Sequence, residues 1–432
     1  MSDAANQTVG QAMHAFCASL FPICRSITGK GARQTLAAVA EKLPLTLTEV
    51  PSGTPAFDWV IPREWNIRDA WVKNSQGEKV IDFARSNLHV VNYSVPVRGR
   101  ATLDELRARL HTLPDHPDWV PYRTSYYKDD WGFCLTQQQL DALPPGEYEY
   151  CIDSSLEPGS MTLGEVELPG ESPDTVLIST HICHPSLAND NLSGLAVATW
   201  LAQHVAALPK RRYTYRFVFI PGTIGAVAWL SQREDLVPRI KHGLVLSGVG
   251  DTGPIHYKRS RRESAEIDQV MEFVLKASAP GHTIMPFIPY GYDERQYCSP
   301  GFNLPVGCMM RTPFGKNPQY HTSADNLELL SGAALQDSLE RCQEMVAILE
   351  GNQRYLNLNP KCEPLLGKRG LYSTLGGEND AKAFQMALLW VLSYSDGEHS
   401  LLDIARKAEM PFRTIRAAAD ALEKAELLSA LP

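Results

Sequence analysis

The sequence predicts an α/β protein: a doubly wound α/β domain, a β-rich insertion near its start and a helix-turn-helix tail. Three observations carry that prediction. Apolar runs at 175–180, 213–220, 243–249 and 305–311 alternate with helical stretches at 193–207, 223–231, 264–278 and 333–350, the βαβα texture of a mainly parallel sheet covered by helices. From 46 to 164 this texture gives way to short β-type runs cut by Pro, Gly and Asp clusters. From 365 to 432 three short helical segments follow one another, the last with Pro411 in its first turn. The α/β domain is therefore expected to be discontinuous, over 1–45 and 165–355.

Composition narrows the function classes. A chain of 432 residues suggests roughly two to three domains and allows a large core. Its 44% hydrophobic and 21% charged residues are ordinary for a soluble globular protein. A net charge of −8 argues against a protein that coats nucleic acid or anionic membrane. The nine cysteines include no C-x-x-C pair, which suits reduced thiols and a cytoplasmic location better than a disulfide framework or a zinc ribbon. The polar start, MSDAANQTVGQ, lacks the basic and apolar regions of a signal peptide. No apolar stretch reaches about 18 residues, so no membrane span is expected.

Taken in order, residues 8–42 read as helices, with Met13, Phe16, Leu20 and Phe21 in an apolar stripe that SITGKG interrupts. In the insertion, β-type runs fall at Leu45 to Val50, Trp59 to Ile61, Ala70 to Val72, Glu147 to Ile152 and Met161 to Glu167, with helical patches at 102–112 and 136–142. Its aromatics, among them Trp65, Trp71, Trp119, Tyr122, Tyr126, Tyr127, Trp131 and Phe133, are more readily explained as a small β core than as a binding wall. The stretch NQRYLNLNPKCEPLLGKRGLYSTLGG reads as a linker to the tail. There Arg406, Lys407, Arg413 and Arg416 are offset by Asp420, Glu423 and Glu426, so a protein-contact module is favoured over DNA binding.

The chain is organised around TVLISTHICHPSLANDNLSGLAVATW, residues 175–200. Its short β-branched run has no alternation, as expected of a strand buried on both faces. In such sheets, polar groups at the carboxyl ends of strands face the ligand crevice, which brings His181 and Asp190 together. A capped turn with a solvent-facing His is the plainer alternative, since Asn189 to Ser193 would cap a helix well. Four later segments send polar groups to the same crevice: Pro221-Gly222-Thr223-Ile224-Gly225, Gly250-Asp251, Gly291-Tyr292-Asp293-Glu294-Arg295, and the stretch from Arg311 to Asn326 with His321.

THICHP…NDNLSG, the strand ending at PGTIG, and YHTSADNLE together resemble the zinc aminopeptidases of peptidase family M28. PREWNIRDAWV, YRTSYYKDDWGFCL, DERQYCSPGFNLPVG and MRTPFG resemble, in order, the DUF4910 aminopeptidase-like branch, which carries an inserted DUF2172 domain and a C-terminal winged helix. The resemblance implies an α/β/α peptidase domain whose strands carry metal ligands. It maps the first ligand His onto His181, the bridging Asp onto Asp190 and the late His onto His321. The family's paired glutamates fall on Gly222 and Thr223, and its strand-end Asp falls near Ser247, with Asp251 as a stand-in. A catalytic zinc takes about three protein ligands and a water, so this set suffices for one Zn²⁺ and not two. His184, in the same HICH segment, is a weaker ligand candidate, expected beside the ligands more than among them.

Position 222 is where the branch has the general-base glutamate, and glycine cannot serve. Three readings follow: a Glu-to-Gly replacement introduced into an active enzyme, an inactive relative, or a base elsewhere, such as Asp293 or Glu294. The intact motif around position 222 favours the first. A positioned base typically contributes ~10²–10⁴-fold, so slow hydrolysis is expected. Asp293 and Glu294 are further expected to bind a substrate amino group, and Arg311 and Arg259 a carboxylate or phosphate. The implied activity is amide hydrolysis on a small aminoacylated or peptide substrate; the rivals are an inactive binding protein and a metabolite-sensing DNA-binding regulator. A homo-oligomer is left open, and neither nucleic acid nor membrane is an expected partner.

Overall fold

The computed structural model describes residues 7–371 and 378–431. The first six residues of the polar start, and residues 372–377 of the expected linker, lie outside the described residues. The chain divides into two compact units, one over 1–268 and 280–340, the other over 269–279 and 341–432.

The first unit is built on an eight-stranded mixed sheet. In chain order its strands are β1 (Thr46–Pro51), β2 (Ser160–Leu168), β3 (Thr175–His181), β4 (Thr214–Ile220), β5 (Ile240–Leu246), β6 (His256–Lys258), β7 (Thr283–Met285) and β8 (Val306–Met310). Their order across the sheet is β1-β2-β4-β3-β5-β8-β6-β7. The central β4, β3, β5 and β8 are parallel, while β1–β2, β2–β4 and β6–β8 are antiparallel pairs. Every residue of β3 and β4 is buried, which is why TVLISTH and TYRFVFI show no polar alternation. Helices α1 (Val9–Leu20), α2 (Lys30–Ala40), α3 (Gly194–Ala206) and α4 (Ile224–Ser231) belong to the same unit. Thr8 and Gln11 form a capping box at the start of α1, which buries Met13, Phe16, Cys17 and Leu20.

The insertion is smaller than the expected 46–164. The strands at both its ends belong to the large sheet: β1 pairs with β2 along its whole length, and β2 with β4. As the edge strand, β1 leaves most of its residues exposed or half-buried, so its TLTEVP pattern is indistinguishable from that of the insertion's own strands. The inserted element proper is a four-stranded antiparallel sheet of Lys79–Asp82, Glu64–Lys73, Glu147–Glu157 and Val97–Thr102, in that spatial order. Trp65, Trp71, Tyr122 and Phe133 are buried as expected of core aromatics, whereas Tyr127 is exposed. One apolar cluster runs from Trp65, Val72 and Phe133 into Leu177, Ile220 and Val306, so the inserted sheet shares the core of the large one.

The second unit contains a three-stranded antiparallel sheet with Arg354–Asn357 in the middle, flanked by Asp396–Ser400 and Leu428–Ala430. With helices Glu378–Tyr394, Leu401–Ala408 and Phe412–Lys424 it makes a winged helix-turn-helix. This module starts before the expected residue 365. RYLN, expected as linker, finds its partners some 40 and 70 residues downstream, pairings that no local pattern reveals. Among the described residues no helix is long and apolar enough to cross a membrane.

Candidate metal centre

The parallel register sets His181 opposite Ile220, so the end of β3 and the turn after β4 lie side by side at the carboxyl edge of the sheet. His181 Nε2 is 2.7 Å from Asp190 Oδ1. The loop Ala188–Ser193 fixes that aspartate, and its two flanking asparagines lace the loop to the strand ends. Asn189 accepts from the Gly250 N–H at 2.9 Å and donates to Asp251 Oδ2 at 2.9 Å. Asn191 donates to Thr180 Oγ1 at 2.8 Å and to the Leu246 carbonyl at 3.0 Å, and accepts from the Gly248 N–H at 3.1 Å. Asp325 closes the arrangement, its carboxylate accepting from the N–H groups of Ala188, Asn189 and Asp190 at 3.2, 2.6 and 3.0 Å. The Asn-Asp-Asn sequence thus divides its labour: the outer amides hold the backbone, and the central carboxylate turns to the histidines.

Three imidazoles surround Asp190. His321 Nε2 is 3.0 Å from Oδ2, and His184 Nε2 is 3.9 Å from the same oxygen. Among the described residues, His181, His184 and Asp190 form a group whose ligand atoms all lie within 4.8 Å of one another. Of the expected set of His181, Asp190 and His321, the first two lie in this tight group. His184 joins them, and His321 stands outside the group although its Nε2 is nearer Oδ2 than that of His184. The spacing of His-x-x-His gives no direction for the second ring; the turn after β3 swings it back onto Asp190, with ring centroids of His181 and His184 5.0 Å apart. Two imidazoles, one buried and one half-buried, and a buried carboxylate are a donor set that suits zinc and other borderline divalent metals.

The electrostatics follow from this crowding. Burial works against the charge of Asp190, but His184 and His181 outweigh it and hold the carboxyl well below the usual range. Burial pushes His184 down to about 3. Burial also disfavours charge on His181, yet Asp190 prevails and leaves it above the ordinary imidazole value.

Tyrosines wall the centre. The Tyr122 ring meets His184 and His321 edge-on, at centroid distances of 5.2 and 5.1 Å, and Tyr292 stacks on His181 at 5.6 Å. The inserted segment is tied down here: the Tyr122 N–H donates to the His321 carbonyl at 2.8 Å, and Val120 and Ser323 exchange two hydrogen bonds. Tyr122 is both a buried core aromatic and a contact of the insertion with the histidines. The aromatic block YRTSYYKDDWGF was the available signal for it.

A Cβ at Gly222 would stand 3.0 Å from His181 Cβ and 3.5 Å from Asp293 Oδ1. Position 222 therefore borders His181, with Asp293 next to it. Asp293 is buried and its carboxylate has no hydrogen-bond partner; burial pushes it up to about 7. Glu294, expected with it to bind substrate, is instead in a buried ion pair with Lys258. Lys258 Nζ also donates to the carbonyls of Tyr290 and Ile288, at 2.9 and 3.3 Å.

The expected anion-binding arginines are placed differently. Arg311 donates through Nε to the Gly253 carbonyl at 2.7 Å and through Nη1 to the Ala334 carbonyl, Asp337 and Ser338 at 3.0–3.3 Å, so it staples backbone instead of facing the histidines. Arg259 follows β6, three strands across the sheet from β3, its N–H bonded to the Met285 carbonyl. Asp251 is no ligand stand-in: its oxygens accept from Asn189, Gly253 and Thr312. These outcomes share one cause, since the partners of a long side chain come from loops remote in sequence.

Comparison with known proteins gives the family. A domain of unknown function, DUF4910, matches residues 14–352, and a winged helix-turn-helix family matches residues 353–430. A Clostridium acetobutylicum protein, named as a candidate polysaccharide biosynthesis protein with aminopeptidase-like domain, is 53% identical over 409 residues, covering 95% of this chain and 94% of the relative. The crystal structure of a candidate peptidase from the same species superposes with a TM-score of 0.93 at 50% identity, covering 98% of this chain and 96% of the other. A zinc aminopeptidase from Bacillus subtilis shares the fold with a TM-score of 0.58 at 12% identity, over 79% of this chain and 94% of the other. The eight-stranded mixed sheet is thus of the M28 peptidase type, and the chain belongs to the DUF4910 family, with a C-terminal winged helix-turn-helix.

Proposed function

We propose that this chain is a zinc-dependent amide hydrolase of the aminopeptidase kind, acting on a small aminoacylated substrate. The observation that carries the reading is the group of His181, His184 and Asp190, the first and last buried and His184 half-buried, at the carboxyl edge of an aminopeptidase-type sheet. These three residues would hold the ion, with His321 beside Asp190. Zinc, when bound, supplies a Lewis acid for a carbonyl and acidifies water. The chain supplies the rest: Asp325 and the two asparagines fix the loop, and Tyr122, Tyr292 and Tyr320 surround the imidazoles and limit water. The name of the Clostridium relative makes aminoacylated sugars the first substrates to try. The free thiols support a reducing, cytoplasmic setting. In the tail, Arg416 is paired with Asp420, which supports a protein-contacting role over DNA reading.

Zinc analysis followed by a library of amino-terminal amides, aminoacylated sugars included, tests the reading. Zinc retained after dialysis and zinc-dependent release of an amine are expected. Bound zinc with no turnover of any amide would favour the second reading, a binding protein with the same pocket, for which Gly222 is the specific observation. Absence of zinc binding would overturn both.

A further inference from the structure

The hydrolase reading leaves a gap: a proton must leave the attacking water and reach the departing amine, and Gly222 has no side chain to carry it. We infer that Asp293 carries that proton, as the catalytic carboxylate of this chain in the space that a side chain at position 222 would enter. The inference rests on the proposed function and adds the residue that the sequence could not choose.

Carboxylates are plentiful at this edge of the sheet, yet most are engaged. Asp190 is held between His181 and His321. Asp325 accepts three backbone N–H groups. Asp251 accepts from Asn189, Gly253 and Thr312, and Glu294 is ion-paired with Lys258. The oxygens of both Glu294 and Asp293 are buried without a hydrogen bond, but Glu294 has its cation. Asp293, 1% exposed, is the one of these five with neither a hydrogen-bond nor an ion-pair partner. Its Oδ1 is 3.5 Å from where a Cβ at position 222 would stand, and that same Cβ would stand 3.0 Å from His181 Cβ. The oxygen therefore borders the volume beside the imidazole that a glutamate at 222 would occupy. A buried, unpaired carboxylate is costly to a fold, and such a cost is retained where the group has work to do.

The chemistry balances with Asp293 alone handling the proton. Asp293 accepts a proton from water as the water oxygen bonds to the carbonyl carbon. The C–N bond then breaks, and the same proton passes from Asp293 to the amine nitrogen, which restores the carboxylate. One water is consumed, and one acid and one amine are released.

The test compares the zinc-loaded full chain with Asp293→Asn and Asp293→Leu, reading turnover on the amide library, zinc content and Tm. Asn keeps the size of the side chain and cannot accept the proton. A fall in kcat of ~10²–10⁴-fold is expected, with KM and zinc content unchanged. Tm should hold or rise in both variants, because a costly buried charge has been removed. A residue with a merely structural role would lower Tm, and that result overturns the inference. Turnover by Asp293→Asn within about threefold of the parent chain would also overturn it, because a lost base costs far more. Should the parent chain itself bind zinc and cleave no amide, the hydrolase reading fails and the role of Asp293 fails with it. That outcome is recognised by the inactive parent, whereas failure of the inference alone leaves the parent active.

Discussion

Replacing Asp325 with alanine removes the acceptor shared by the N–H groups of Ala188, Asn189 and Asp190, at 3.2, 2.6 and 3.0 Å. All four residues are buried, so the amides gain no ready access to solvent. An orphaned buried amide costs about 1–3 kcal/mol, which gives a range of about 3–9 kcal/mol for three. Water entering the space left by the carboxylate would satisfy part of the deficit, which places the loss near the low end, about 3–5 kcal/mol. For a unit of this size that corresponds to a fall in Tm of about 4–7 °C. Because one of the three amides belongs to Asp190, zinc affinity should fall too, by the ~10–100-fold typical of a group that orients a ligand. Asp325→Asn keeps one carbonyl oxygen and should lie between the two. Thermal melts followed by circular dichroism, and zinc titration against a chelator of known affinity, measure both quantities. Asp325→Ala with a Tm within about 2 °C of the parent and unchanged zinc affinity would refute the clamp.

Two further predictions concern the cations that flank the site. Lys258→Met leaves Glu294 buried without its ion-pair partner and frees the carbonyls of Tyr290 and Ile288, so a loss of about 3–5 kcal/mol is expected in urea melts. Adding Glu294→Gln to Lys258→Met should recover part of it, and no recovery would show that the pair does not account for the loss. Arg311→Ala should destabilise by about 2–4 kcal/mol through its lost backbone bonds and leave KM for any amide unchanged. A raised KM at unchanged stability would return Arg311 to the substrate.

The legible parts of this molecule are those written in local pattern. TVLISTH and TYRFVFI announce buried central strands because both their faces are covered, and THICH with Ala-Asn-Asp-Asn marks the crevice because polar groups interrupt an apolar run at a strand end. β1 escaped assignment to the sheet because an edge strand wets one side, and RYLN escaped because its partners are distant in sequence. The site divides along the same line. His181 and Asp190 could be named from their motifs, and position 222 from its turn. The relative standing of His184 and His321, the engagement of Glu294 by Lys258, and the unpaired state of Asp293 depend on loops that meet only in the fold.

The central claim is a metal held by His181, His184 and Asp190, and zinc stoichiometry across four alanine variants tests it most directly. After dialysis against a weak chelator, the parent chain should retain one zinc per chain. His181→Ala, His184→Ala and Asp190→Ala should lose it, while His321→Ala should hold it more weakly. Retention of zinc by His184→Ala together with its loss from His321→Ala would contradict the ligand set, and a parent chain free of zinc would contradict the account.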